Sequence, residues 1–176
     1  MASRLREADY WKVALPLAVA IVAVGSLSGY LSNSGYSNAW FASLDLPRFM
    51  PPGWAFGLVW TTLYALMGLA LALVWQAPRS PLRRSALTLF LSQLAVNFAW
   101  SPVFFGAQMI EAGLLLILLM LALAGATAWR FARIRPLAGW MLLPYLAWLC
   151  LAAALNFEVG RLNPGADSAP LGLLGG

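Results

Sequence analysis

PPGWAFGLVWTTLYALMGLALALVW runs from Pro51 to Trp75 without one charged side chain. A helix crosses the roughly 30 Å hydrocarbon core of a bilayer in about 20 apolar residues, so this stretch reads as a membrane span. Pro51 and Pro52 stiffen the chain where it enters the helix, since proline is tolerated in a first turn. Phe56, Trp60 and Tyr64 then recur every four residues and share one stripe of that helix. Trp54 stands at the edge of the span, where an indole belongs in the interfacial belt. Trp60 lies deeper, and its environment is the question this stretch poses.

The same reading finds spans at about 12–32, 53–76, 85–105, 109–131 and 136–158. They are joined by the long 33–51 loop and by short polar connections at 76–84, 106–109 and 130–136. The chain is 62% hydrophobic and 10% charged, with a mean hydropathy of +0.78. A soluble domain of 176 residues has no interior large enough for that much apolar surface. The expected fold is an all-α integral membrane protein, a bundle of five transmembrane helices over residues 1–163. The Gly-rich tail 164–176 reads as disordered. The first span reads as retained, because its apolar run is long and no small-x-small cleavage site follows it.

Charge sets an orientation. Arg4, Arg6, Lys12, Arg79, Arg83, Arg84, Arg130, Arg133 and Arg135 fall on one side, with only Arg48 and Arg161 on the other. The positive-inside rule then places the N-terminus in the cytoplasm and the C-terminus outside it, which suits a bacterial inner membrane. The net charge of +5 marks topology and headgroup contact, and no basic stripe points to nucleic acid as a partner. The single Cys150 leaves no disulfide framework or cysteine zinc site within one chain. With no histidine, a haem carrier or imidazole-bound metal centre is not expected, so neither metal nor cofactor is assigned. Acidic residues are confined to span ends and loops (Glu111, Glu158, Asp45), so proton pumps and voltage sensors lack their parts.

The uncharged polar residues are patterned. Gln93, Asn97 and Ser101 lie on one stripe of the third span, followed by Pro102, which frees a backbone carbonyl and can bend the helix. Pro144, Trp148 and Ala152 repeat that spacing in the fifth span, with Asn156 a turn further on. Two readings fit: such stripes are helix-packing faces, or they line a cavity for a flat apolar ligand that stacks on aromatic faces. The 33–51 loop is long for a connection. It carries Tyr36, Trp40, Phe41, Leu44, Leu46 and Phe49, enough apolar surface to fold over a cavity mouth as a lid. Trp11, Trp40, Trp54, Trp75, Trp129 and Trp140 fall near span ends as interfacial anchors.

LPRFMPPGWAFGLVWTTLYALMG, LAVNFAWSPVFFG and PYLAWLCLAAALNFEVGRLN, in that order, resemble the TspO/translocator protein family, the tryptophan-rich sensory proteins related to the peripheral-type benzodiazepine receptor. The likeness runs over about residues 12–163. It implies a five-helix bundle, often a homodimer, with one pocket per subunit for porphyrins such as protoporphyrin IX, benzodiazepine-type ligands and, in some members, sterols. The implied ligand-binding positions are Trp40, Phe41, Pro51, Phe56, Trp60, Asn97, Trp100, Ser101, Phe104, Trp148 and Ala152. Leu155, Asn156, Phe157 and Arg161 match the sterol motif. Phe49 stands where the family usually has Trp, Phe41 where many members have Tyr, and Phe157 where the sterol motif has its Tyr.

Two functions follow. One is a membrane receptor or carrier for tetrapyrroles, acting in porphyrin homeostasis or stress signalling, with Trp60 and Trp148 stacking on the ligand and Asn97 hydrogen-bonding it. The other is an enzyme that degrades a bound porphyrin with light and oxygen, in which Trp60 and Trp148 are catalytic. No nucleophile–base pair is evident, so that second reading draws on the photochemistry of the ligand itself.

Overall fold

A computed structural model describes residues 2–174, with side chains from Asp9 onward. Its helices are α1 (Ala2–Leu31), α2 (Ala39–Ala42), α3 (Gly53–Trp75), α4 (Pro81–Ser101), α5 (Ile110–Ile134), α6 (Pro136–Trp140) and α7 (Leu143–Leu162), with a π-helical turn at Pro102–Gly106. Five stretches are long and apolar enough to cross a membrane: Asp9–Leu31, Gly53–Trp75, Pro81–Gly106, Ile110–Ile134 and Pro136–Leu162. They match the five spans read from the sequence, and the fold is an all-α transmembrane bundle.

α1 packs along α3, and α4 along α5, which also supports α6 and α7. Between apolar helices in lipid, association rests on close van der Waals packing, and small residues permit it. At Gly68 a Cβ would lie 2.3 Å from the Ala18 Cα, so the α1 backbone passes directly over that glycine. Seven residues further along α1, Gly25 sits against the ring of Tyr64, where a Cβ would come within 2.2 Å of it. Large apolar residues on the outer faces, such as Leu15, Val19, Leu58, Leu91 and Leu118, are exposed and face the lipid.

Pro102 frees a carbonyl as the sequence suggested, and a neighbouring helix supplies the missing donor. Pro102 has no N–H to give the Phe98 carbonyl, and the Ser28 hydroxyl donates to that carbonyl instead at 2.7 Å. Beyond it the chain widens into the π turn, with the Ala107 amide reaching back to the Pro102 carbonyl at 2.8 Å. In the fifth span the helix breaks between α6 and α7, at Met141–Leu142, just before Pro144. Ser80 caps α4 by accepting from the Arg83 amide at 3.1 Å, with Pro81 in the first turn.

The described part of the tail, 164–174, has no helix and lies against the start of α5. The Leu171, Leu173 and Leu174 amides donate to the buried Glu111 carboxylate. The Glu111 amide in turn donates to Asp167 Oδ2 at 2.8 Å. The physical reason is a mutual need. A helix N-terminus leaves amides unpaired and a buried carboxylate requires donors, and the tail backbone and Asp167 supply both. Leu174 also rests in the space left by Gly160.

Candidate functional site

In the half of the bundle nearest the 33–51 loop, α1, α3, α4, α5 and α7 surround a cavity of about 250 Å³. Its aromatic wall is built from Phe56, Trp60 and Trp148. The Trp60 and Trp148 rings meet edge to face, with centroids 6.4 Å apart and planes at 84°. Phe56 meets Trp148 the same way at 5.6 Å. Such edge-to-face contacts are the favoured geometry for aromatic pairs. The deep tryptophan of the second span therefore touches its counterpart in the fifth.

Asn97 lines the cavity, but half of its hydrogen-bonding capacity is already used. Its Oδ1 accepts from the Tyr64 hydroxyl at 2.8 Å, and its Nδ2 donates to the Tyr145 hydroxyl at 3.0 Å. Tyr145 passes the chain on by donating to Gln93 Oε1 at 3.0 Å. This run ties α3, α4 and α7 together and fixes the aromatic wall. One Nδ2 hydrogen and one Oδ1 lone pair remain to face a ligand.

Trp100, Ser101 and Ala152 also line the cavity. Ser101 shares a hydrogen bond of 2.9 Å with Ser34 of the first loop. A side chamber of about 60 Å³ adjoins it, sharing Phe56, Trp100, Phe105 and Ala152 and adding Phe41, Phe104, Leu155 and Asn156. At its edge the Trp100 Nε1 and Asn156 Oδ1 are buried without a hydrogen-bond partner. Both lie close to Gly113, whose missing Cβ would sit 3.4 Å and 3.1 Å from them. An unpaired donor and an unpaired acceptor thus border the same small space.

The remaining candidates belong to the lid. Asn38 caps α2 by accepting from the Phe41 amide at 3.1 Å. Phe41 and Leu44 are then buried against Phe104, Phe105, Ile110 and Val159, so the loop does fold over the chamber. Trp40 lines neither cavity: it packs on Phe104 at 5.5 Å and donates its Nε1 to the Ala166 carbonyl at 3.2 Å. Pro51 serves the helix entrance, its carbonyl accepting from the Tyr36 hydroxyl at 2.9 Å. The sterol-motif positions do not share a face. Leu155 and Asn156 turn inward, Phe157 is 47% exposed on the outer surface, and Arg161 pairs with Glu158 at 2.6 Å.

Some lining residues escaped the sequence reading. Gly25, Ser26 and Gly29 of α1 complete the wall, as do Thr61, Tyr64, Ile117, Met120 and Leu149. Tyr64 was visible as the next member of the Phe56–Trp60 stripe, and Gly25-x-x-x-Gly29 is a small-x-x-x-small spacing that permits close approach. Ile117 and Met120 carry no signal that separates them from ordinary apolar packing.

A sequence profile described as the TspO/MBR family matches residues 16–162. The chain belongs to the TspO/MBR family. A translocator protein from Sus scrofa is 39% identical over 153 residues, covering 84% of this chain and 90% of that one. Protein CrtK from Rhodobacter capsulatus is 41% identical over 128 residues, 72% of this chain and 80% of its own. A tryptophan-rich sensory protein from Cereibacter sphaeroides is 41% identical over 124 residues, 70% and 77% respectively. With five apolar spans, this TspO/MBR member is a multi-pass integral membrane protein. Its nine tryptophans divide by role. Trp60, Trp100 and Trp148 face the cavity, Trp40 holds the lid, and Trp11, Trp54, Trp75, Trp129 and Trp140 are exposed on the outer surface near the span ends.

Proposed function

We propose that this TspO/MBR member is a membrane receptor or carrier that binds a flat, apolar ligand, a porphyrin or a benzodiazepine-type molecule, in the cavity between α3 and α7, with a role in porphyrin homeostasis or stress signalling. The observation that carries the reading is the perpendicular pair Trp60 and Trp148 on the wall of a largely apolar cavity. Ligand sites of this kind are mostly apolar with a few placed polar groups. Asn97, Trp100, Asn156 and the hydroxyls of Ser26, Thr61, Tyr64 and Ser101 are polar groups on the walls of the two chambers. The names translocator and tryptophan-rich sensory protein carried by relatives agree with a binding role over an enzymatic one.

The size of the cavity sets a condition. At about 250 Å³ it lies below the roughly 300–1,000 Å³ usual for ligand pockets. A small drug-like molecule fits with little change, whereas a tetrapyrrole requires the side chamber to merge with the main one and the lid to lift.

The test is quenching of tryptophan fluorescence by protoporphyrin IX in the dark, with an unrelated membrane protein as the partitioning control. Saturable quenching with a dissociation constant of about 1 μM or tighter, weakened by Trp60→Phe and Trp148→Phe, supports the reading. Linear quenching that ignores both substitutions overturns it. The paired indoles also favour a second reading, in which oxygen and light degrade the bound porphyrin with Trp60 and Trp148 as electron donors. Loss of porphyrin under light above a protein-free control, abolished by either substitution while dark binding persists, distinguishes it.

The homodimer belongs to the same proposal, with Ala95 and Ala99 exposed on α4 as a close-approach face and the concentration dependence of mass in detergent as its check. So does residence in a bacterial inner membrane with the arginine-bearing end in the cytoplasm. A sterol-like lipid, if bound, meets Phe157 and Arg161 on the outer surface and not Asn156, which is turned inward.

A further inference from the structure

At the end of the bundle opposite the lid, a groove opens between the α3–α4 connection, the first two turns of α4 and the last part of α5. Arg79, Arg83, Arg84 and Arg130 line it, together with Ser80 and Ser85. No acidic side chain contributes to it. Among the described residues the ion pairs lie elsewhere, at Lys12–Asp9 and Arg161–Glu158.

The groove is more than the positive charge that marks a membrane protein's orientation. Arg83 is locked in place: its Nε donates to the Val74 carbonyl at 3.1 Å and its Nη2 to the Trp75 carbonyl at 2.5 Å, with the guanidinium 5.5 Å from the Trp75 ring centroid. It caps the end of α3 and forms a fixed wall. Arg130 reaches across from α5 and donates to the Ser85 hydroxyl, so the two sides of the groove are joined. The N-terminus of α4 opens at the same place and adds its own partial positive charge. Four like charges in one concavity repel each other until an anion enters.

Depth identifies the anion. Trp75 and Trp129 are both exposed at this end of the bundle, where indoles mark the headgroup level. Leu87 and Leu89 continue the lining of the groove toward the membrane interior. A soluble phosphate uses the arginines and leaves those leucines uncovered, whereas a phospholipid covers both. We propose that this groove is a binding site for an anionic phospholipid. Arg79, Arg84 and Arg130 hold its phosphate, Arg83 forms the wall behind it, and Leu87 and Leu89 receive the upper part of its acyl chains. Two phosphates on one lipid engage the groove more fully than one.

The experiment titrates the intact protein, in a zwitterionic detergent, with phosphatidylglycerol, with cardiolipin and with phosphatidylcholine, reading bound lipid by native mass spectrometry. The comparison is between Arg79→Gln/Arg84→Gln and Arg133→Gln/Arg135→Gln, which remove the same charge from the same end inside and outside the groove. Affinity for the anionic lipids is expected to fall about tenfold or more in the first variant and about twofold or less in the second. Arg130→Gln gives an independent loss from the α5 side. Equal losses in the two double variants, or equal binding of phosphatidylcholine, overturn the proposal and leave only general charge attraction. Inorganic phosphate that binds as tightly as the lipid and displaces it at millimolar concentration also overturns it, in favour of a soluble-anion site.

Discussion

Tyr145 is the side chain on which most of the polar interior turns. Its hydroxyl accepts from Asn97 and donates to Gln93, and both partners are buried. Tyr145→Phe leaves the Gln93 carbonyl oxygen without its donor and one Asn97 N–H without its acceptor. A buried group stripped of its partner costs about 1–3 kcal/mol in soluble proteins, and interhelical hydrogen bonds in membranes average about 0.6. We expect a loss of about 1 kcal/mol, read as a lower thermal midpoint in detergent. Ligand affinity is expected to fall with it, because Asn97 is freed to turn from the cavity. An unchanged midpoint shows that the chain of hydrogen bonds orders the wall without stabilising the bundle.

Helix α4 ends in a device made from two elements. Pro102 withholds the amide that an α-helix supplies to the Phe98 carbonyl, and Ser28 of α1 donates there at 2.7 Å. The proline and the serine are therefore coupled across helices. Ser28→Ala alone leaves a carbonyl unsatisfied in an apolar setting, at about 1 kcal/mol. In a Pro102→Ala background the restored amide competes for that carbonyl, and the same substitution is expected to cost about half as much or less. A double-mutant cycle on thermal or denaturant unfolding measures the difference. Equal costs in both backgrounds contradict the coupling. The widened turn beyond Pro102 also matters for the site, since it carries Phe104 and Phe105 beneath the lid.

The lid is clasped from the far end of the chain. Asn163 Oδ1 accepts from the Asp45 amide at 2.8 Å, and Asn163 Nδ2 donates to the Asp45 carbonyl at 2.9 Å. Trp40 adds its bond to Ala166, and the tail itself is held by Glu111. Asn163→Ala removes the reciprocal pair from the lid while leaving the cavity wall untouched. Association and dissociation of a cavity ligand are both expected to quicken by about threefold to tenfold, with little change in dissociation constant. Stopped-flow fluorescence checks this, and unchanged rates exclude the clasp as a gate. Five spans, the stripe that carries Phe56, Trp60 and Tyr64, and five of the six tryptophans read as interfacial were legible in the chain. Each depends on apolar run length or helical period, which are local properties. The resemblance implied that Trp60 and Trp148 share a pocket, but spacing within one helix does not say which neighbour it faces, and their edge-to-face contact exists only in the folded chain. Composition says nothing of the tail's partners, because Glu111, Gln108 and Trp40, which meet it, are brought there by the packing of other elements. The commitment of Asn97 to two tyrosines, the clasp between Asp45 and Asn163 and the approach of Arg130 to the 79–84 arginines also belong to the tertiary structure alone. They join groups distant in sequence, and no periodicity records which helix packs beside which.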